Sequence, residues 1–142
     1  INLKAPFLLS KYFVNNLKSK NGDIINILDQ RVLNISPYFT SYTISKSALH
    51  TLTKSLALSL APKIKVNAVA PGPTLKSIRQ SKEEFRKQIK RTPLQNQVSL
   101  DAINSAINFL IKNNSITGQT IMVDSGQNLG WAHTKSKKFI DD

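Results

Sequence analysis

Three short runs rich in β-branched residues alternate along this chain with longer segments whose apolar residues recur at helical spacing. The predicted strands are residues 23–28, 64–70 and 120–123. The predicted helices are residues 3–19, 41–61 and 100–112. Two successive strand–helix–strand crossovers favour a parallel sheet that is covered by helices. The pattern therefore predicts an α/β fold.

The composition removes several classes of protein. The chain has 142 residues, of which 40% are hydrophobic, so it can fill the core of one domain. It has no cysteine, which excludes a disulfide scaffold and any thiolate metal site, and we predict no bound metal. No apolar run is long enough to cross a membrane and no signal peptide is visible, so we expect a cytoplasmic protein without a membrane partner.

The formal net charge of +12 raises nucleic acid as a partner. The lysines are spread over the whole length, however, and this favours an ordinary solvated surface, so we expect no nucleic acid. The most basic segment, residues 76–91, predicts a short mobile helix. Two interpretations of this segment stay open: it draws in an anionic substrate, or it is a solvated helix face.

Tyr42 and Lys46 are the first candidates for chemistry. A separation of four residues places both on one face of the helix predicted over 41–61. A nearby ammonium favours the phenolate, so the spacing predicts a lowered pKa for Tyr42 and a role in proton transfer. Alone, this pair is a weak signal because it occurs by chance in many helices.

Four ordered motifs surround that pair. They are residues 42–49 (YTISKSAL), 65–72 (KVNAVAPG), 116–119 (ITGQ) and 123–126 (VDSG). In order and spacing they resemble the short-chain dehydrogenase/reductase family. The resemblance implies the C-terminal portion of a Rossmann-like, doubly wound parallel sheet, with residues 1–142 as a single partial domain and residues 128–142 as a flexible tail.

The resemblance also implies the catalytic residues, which are Asn2, Asp29, Tyr42 and Lys46. Tyr42 would donate a proton, Lys46 would lower its pKa and bind ribose hydroxyls, and Asn2 would hold a water through its backbone. Counting along the family pattern forward from Asn2 and back from Tyr42 reaches one position, Asp29, where the family usually has Ser. Asp at this position is similar to pteridine reductases and dihydromonapterin reductase-like members, and it would orient the substrate or share protons with Tyr42.

The cofactor-binding residues implied by the resemblance are Tyr42, Lys46, Pro71, Gly72 and Thr74. The implied reaction is hydride transfer to a C=N or C=O bond of a pterin-like small molecule. NADPH is the cofactor that the resemblance favours, and NADH stays open. A pterin ring offers amide and amino donors that suit an ionised acceptor, which is a physical reason to prefer it over a simple ketone.

The dinucleotide-binding half of the family fold has no counterpart here. None of the five glycines, at positions 22, 72, 118, 126 and 130, forms a Gly-rich phosphate turn. Strand 23–28 would then expose a sheet edge, so we expect the isolated chain to be unstable or to need an N-terminal piece. The family resemblance assigns helices 3–19 and 41–61 to the subunit interface of a homo-oligomer, a dimer or a tetramer.

Three functions are open at this point. The chain is the catalytic half of a reductase, or it is an inactive remnant that needs an N-terminal partner, or it is a basic nucleic-acid-binding module. The ordered catalytic residues argue against the third.

Overall fold

A computed structural model of the protein describes residues 1–130. Its strands are β1 (Gly22–Ile27), β2 (Ile64–Pro71) and β3 (Thr120–Val123). Its helices are α1 (Lys4–Asn16), α2 (Thr40–Leu60), α3 (Lys82–Lys90) and α4 (Leu100–Lys112). The three strands are parallel in the order β1-β2-β3, with Gly22 beside Ile64 and Ala68 beside Thr120. This arrangement confirms the predicted α/β fold class.

Strand β2 carries the core because it lies between the other two strands and its side chains alternate between the faces of the sheet. On one face, Ala68 and Ala70 pack against Leu49 of α2, and Ile64 and Val66 form a second cluster with Ala57 of the same helix. Phe13, Val14 and Leu17 at the end of α1 extend that second cluster. The small alanines let α2 approach the sheet closely.

The opposite face of β2 meets α4. The Lys65 ammonium donates to the carbonyl oxygens of Leu110, Ile111 and Asn113 at 2.8–3.3 Å, which are acceptors left free at the end of α4. It also pairs with Asp23 of β1 at 3.1 Å. Helices therefore cover both faces of the sheet, as in a doubly wound fold.

Strand β1 forms one edge of the sheet in the part of the chain that the structure describes. Its backbone bonds run to β2, from Gly22 N to the Lys63 carbonyl at 3.1 Å and from Leu28 N to the Val69 carbonyl at 2.8 Å. By the alternation of a parallel strand, the amides and carbonyls of residues 23, 25 and 27 point away from β2. The predicted exposed edge is therefore present.

The basic segment differs from its prediction. The helix begins only at Lys82, because Ser81 and Glu84 form a reciprocal capping box there, and it ends at Lys90. Residues 76–80 form a turn instead, in which Gln80 N donates to the Ser77 carbonyl at 3.1 Å. By contrast, α4 has the predicted bounds, with Ser99 as its N-cap.

The tail predicted over 128–142 overlaps the described residues only at positions 128–130. Residues Gln127–Leu129 form a short 3-10 helix, and Asp124 binds its first turn by accepting hydrogen bonds from the amides of Gly126 and Asn128. The rest of the predicted tail, 131–142, lies outside the described residues. Within residues 1–130, no helix has the length and apolar character needed to cross a bilayer.

Candidate active site

Asp29 lies two residues after the end of β1, where the chain leaves the sheet in an extended conformation. Its Oδ1 accepts a hydrogen bond from the backbone amide of Arg31 at 2.9 Å and so caps a 3-10 turn over Gln30–Val32. This local bond fixes the carboxylate at the carboxyl end of the strand. That end of a parallel sheet is where α/β folds bind ligands.

Tyr42 lies in the first turn of α2 and points at the same carboxylate. Its hydroxyl donates a hydrogen bond to Asp29 Oδ2 at 3.1 Å. Lys46, one turn further along the helix, donates from Nζ to the Ile27 carbonyl at 2.8 Å and lies 5.8 Å from the centre of the Tyr42 ring. The structure therefore brings Asp29, Tyr42 and Lys46 together at the end of β1.

The acidity of Tyr42 departs from the sequence prediction. Burial, followed by the charge and the hydrogen bond of Asp29, raises the pKa of Tyr42 from 10.0 to about 12, while Arg31 opposes the rise. The predicted lowering by Lys46 is wrong for this structure, because the ammonium binds the Ile27 carbonyl rather than the hydroxyl. Burial also lowers the pKa of Lys46, and the nearby Asp29 opposes that shift.

Asn2 reaches the site indirectly. Its side-chain amide donates to Ser45 Oγ at 3.3 Å, and Ser45 Oγ in turn donates to the Tyr42 carbonyl at 2.7 Å. Asn2 and Lys46 also border a cavity of about 510 Å³ between α1 and the open edge of β1. Asn2 thus contacts the turn of α2 that carries the candidate proton donor.

A second, larger cavity of about 960 Å³ holds the other predicted residues. Asp29, Tyr42, Pro71, Gly72 and Thr74 all border it. The predicted site is therefore divided, since Asn2 and Lys46 face the smaller cavity while the remaining residues face the larger one. The first two turns of α2 contribute to both cavities, with Lys46 at the smaller one and Tyr42 at the larger one.

Gly72 allows β2 to end against the turn after β3. A Cβ at this position would lie 2.7 Å from Asp124 Cα and 2.8 Å from its carbonyl oxygen. The Gly72 amide donates to the Val123 carbonyl at 3.0 Å, and Thr74 Oγ1 donates to the Gly72 carbonyl at 3.1 Å. The close approach sets the position of Pro71 and Thr74 at the cavity wall.

Sequence reasoning missed two residues of this wall, Arg31 and Phe39. The Arg31 guanidinium lies 5.2 Å from the centre of the Phe39 ring and 3.5 Å from both carboxylate oxygens of Asp29. Its Nε is buried without an acceptor among the described residues. Phe39 adopts a left-handed backbone conformation, φ 60° and ψ 41°, immediately before α2. One feature of the sequence could have indicated Arg31. It lies two residues after Asp29, and a side chain that caps a turn accepts a hydrogen bond from the backbone amide at this spacing.

Comparison with known proteins places these residues in a family context. A family profile described as enoyl-(acyl carrier protein) reductase matches residues 1–128. The chain is 41% identical over 129 residues to the short-chain dehydrogenase/reductase homolog YusR of Bacillus subtilis, covering 89% of this chain and 100% of that protein. It is 31% identical over 132 residues to dihydromonapterin reductase of an Enterobacter species, covering 91% of this chain and 55% of the relative.

Among solved structures, the chain is similar to FolM alternative dihydrofolate reductase 1 of Brucella suis, which was solved in complex with NADP. The identity is 45% and the TM-score is 0.89, over 94% of this chain and 54% of the Brucella chain. The chain therefore spans about half the length of this protein and of the Enterobacter reductase.

Proposed function

The chain belongs to the short-chain dehydrogenase/reductase family, and on that premise we propose that it is the catalytic half of an NADPH-dependent reductase of a pterin-like substrate. The observation that carries the proposal is the hydrogen bond from the Tyr42 hydroxyl to Asp29 at 3.1 Å, on the wall of a cavity of about 960 Å³. A phenol beside a carboxylate, rather than beside a serine, favours a substrate that presents hydrogen-bond donors.

The residues present fit the nicotinamide end of the cofactor. Lys46 spends one of its three N–H donors on the Ile27 carbonyl, which leaves two for the ribose hydroxyls. Lys46 borders the smaller cavity, while the Tyr42 hydroxyl and Thr74 supply further polar groups in the larger cavity, whose wall includes Pro71 and Gly72. NADPH, when bound, supplies the hydride. We favour NADPH over NADH because the Brucella relatives were solved with NADP.

In this proposal Tyr42 delivers the proton. With a pKa of about 12 its hydroxyl is protonated at neutral pH, so the proton is in place before the reaction. Asp29 accepts hydrogen bonds through both oxygens, from the Arg31 amide and from the Tyr42 hydroxyl. Asp29 thus orients the substrate's donors and accepts from the phenol, and the phenol carries the transferable proton.

Asn2 acts in the same proposal by holding the turn that carries Tyr42. Its contact with Ser45, and the Ser45 bond to the Tyr42 carbonyl, fix the start of α2. We also assign to its backbone the water that links Lys46 to solvent, because both residues border the smaller cavity.

The choice of a pterin has two supports. The amide and amino groups of the ring complement the Asp29 carboxylate, which accepts but does not donate when ionised. The names of two relatives, dihydromonapterin reductase and alternative dihydrofolate reductase, point to the same ring system. The substrate in this proposal is a small molecule, and the proposed activity requires no nucleic-acid partner.

We propose, in addition, that the protein assembles as a dimer or a tetramer in the cytoplasm through α1 and α2. Both helices expose large apolar side chains that the described residues leave uncovered. These are Phe7, Leu9 and Tyr12 of α1 with Ile44 and Leu58 of α2, which are 46–84% exposed. Size-exclusion chromatography with light scattering tests the assembly, and a monomer would contradict it.

The activity test uses the full natural gene product that contains this chain. We expect it to consume NADPH with 7,8-dihydrobiopterin, and Tyr42→Phe to lower kcat by at least about 100-fold, as loss of a general acid does. Tyr38→Phe is the matched control, because that phenol is exposed and does not border the cavity. Equal loss in both variants, or turnover of simple ketones without pterins, would contradict the proposal. The 142-residue chain assayed alone tests the remnant hypothesis.

A further inference from the structure

The larger cavity has an unequal balance of charge. Four cationic side chains border it, from Arg31, Arg79, Lys87 and Arg91, against two carboxylates, from Asp29 and Glu84. Three of the four cations lie on one wall, which is formed by residues 77–91 around α3. This cationic wall, defined by Arg79, Lys87 and Arg91, belongs to the same cavity as the Asp29–Tyr42 pair.

Both carboxylates of the cavity already have partners. Asp29 accepts from Tyr42 and from the Arg31 amide. Glu84 Oε2 accepts from the Ser81 amide at 2.7 Å, so its charge lies at the N-terminus of α3, where the helix dipole favours an anion. Within residues 1–130, neither carboxylate forms an ion pair with Arg79 or Lys87.

Two cations of the wall, Arg79 and Lys87, are accessible to a ligand. Arg79 makes no ion pair with any carboxylate of the described residues. Lys87 pairs with Glu83 at 2.8 Å, but both side chains are at least 70% exposed, and such pairs are weak and readily exchanged. Arg86 and Lys90 lie on the same helix but do not border the cavity.

We propose that the substrate carries an anionic tail, and that Arg79 and Lys87 bind this tail while its ring lies at Asp29 and Tyr42. The inference rests on the proposed function, which supplies the ring. The tail's chemical class is an anion, and a carboxylate and a phosphate are its two sources. The wall carries three cations against one carboxylate, Glu84, and this excess of positive charge attracts an anion.

The first experiment needs no variant. The natural gene product is assayed with three dihydropterins: dihydrofolate with its carboxylates, dihydroneopterin monophosphate with its phosphate, and dihydrobiopterin with a neutral tail. We expect a higher kcat/KM for at least one anionic substrate, and a KM for it that rises with salt while the KM for dihydrobiopterin does not. The better anionic substrate identifies the source of the charge.

The second experiment locates the binding residues. We expect the double variant Arg79→Gln/Lys87→Gln to lower the preference for the anionic substrate over dihydrobiopterin by about tenfold, which is the order that two partly exposed charge contacts supply. Arg86→Gln/Lys90→Gln is the matched control, because it removes the same charge from the same helix outside the cavity. The KM for NADPH is measured in parallel, since the cofactor's phosphates could use the same cations.

The outcomes separate the two proposals. Reduction of all three dihydropterins with equal kcat/KM and equal salt response would overturn the anionic tail and leave the proposed reductase standing. A variant that raises the KM for NADPH but keeps the substrate preference would overturn it too, because the wall would then serve the cofactor. If no dihydropterin is reduced while another carbonyl compound is, the proposed function fails and the inference fails with it.

Discussion

The Tyr42 hydroxyl donates a hydrogen bond to Asp29 across 3.1 Å, and this bond joins the first turn of α2 to the end of β1. Asp29 affects the protonation of Tyr42, and Tyr42 affects the hydrogen bonding of Asp29. The carboxylate favours the neutral phenol, and the phenol satisfies the one carboxylate oxygen that the Arg31 amide does not reach. The pair therefore keeps the proton on the Tyr42 hydroxyl. The pKa of that hydroxyl can be measured without knowledge of the substrate.

Replacing the carboxylate should make Tyr42 more acidic. We expect Asp29→Asn to lower the pKa of Tyr42 from about 12 part of the way to 10.0, because the charge and the charged acceptor are removed while the burial remains. Phenolate absorbance during an alkaline titration measures this, in a background where Tyr12 and Tyr38 are Phe. An unchanged titration curve would mean that burial alone determines the acidity.

The same shift predicts a loss of stability in alkali. The pKa of Tyr42 is higher in the folded chain, about 12, than the ordinary value of 10.0, so the folded state holds the proton longer. Its stabilising contribution is therefore complete below pH 10 and is lost as the pH rises toward 12. Urea unfolding of the wild type and of Tyr42→Phe at several pH values measures the free energy of unfolding of both proteins. The difference between them separates the contribution of Tyr42 from that of the lysines, which titrate in both. A difference between the two proteins that does not vary with pH would contradict it.

The secondary structure follows from local patterns, and this explains how much of it the sequence predicts. The apolar run before Asp29 and the apolar stripe of α2 need no distant information to be recognised. The start of α3 was predicted six residues too early because a basic composition does not locate a cap. The capping box of Ser81 and Glu84 was readable in the sequence and locates the start at Lys82.

The site was predictable only where a motif names its residues. Tyr42 belongs to such a motif, Asp29 is located by its spacing from Tyr42 and Asn2, and the two side chains are in contact. The raised pKa of Tyr42 was not predicted because burial is a property of the packed chain. Asn67 lies within the motif 65–72, and its fully buried side-chain amide donates to the Ile116 carbonyl and accepts from the Gln119 backbone amide, both at 2.9 Å. Such bonds join residues about fifty positions apart, which no local pattern reports.

A methyl group at Gly72 should separate β2 from the turn after β3. We expect Gly72→Ala to lower the free energy of unfolding by about 1–3 kcal/mol, because the new Cβ would meet the backbone of Asp124, which cannot rotate away. Urea unfolding measures the loss. Gly22→Ala is the control, since the nearest atoms to its Cβ would be side-chain carbons of Leu17 and Phe13 at 3.1–3.2 Å. A larger loss at Gly22 would contradict the assignment.

The buried pair of Asn26 and Thr53 should be sensitive to loss of the hydroxyl. Thr53 Oγ1 accepts from the Asn26 amide at 2.9 Å and donates to the Leu49 carbonyl. We expect Thr53→Val to cost about 1–3 kcal/mol, since it leaves the amide without its acceptor. Thr51→Val, where the hydroxyl bonds the Ser47 carbonyl at an exposed position, should change little. Equal losses from both substitutions would show that the buried bond adds nothing.

Ser125 occupies a backbone position that suits glycine. Its φ is 56°, in the left-handed region, and its hydroxyl donates to the Asn96 carbonyl at 2.7 Å. Both Ser125→Ala and Ser125→Gly lose that hydrogen bond, but only glycine relieves the backbone, so we expect the Gly variant to be more stable than the Ala variant by about 1 kcal/mol. Chemical denaturation of the two variants measures the difference directly. Equal stabilities would mean that the turn between Asp124 and Gly126 carries no strain, and that the serine costs the fold nothing there.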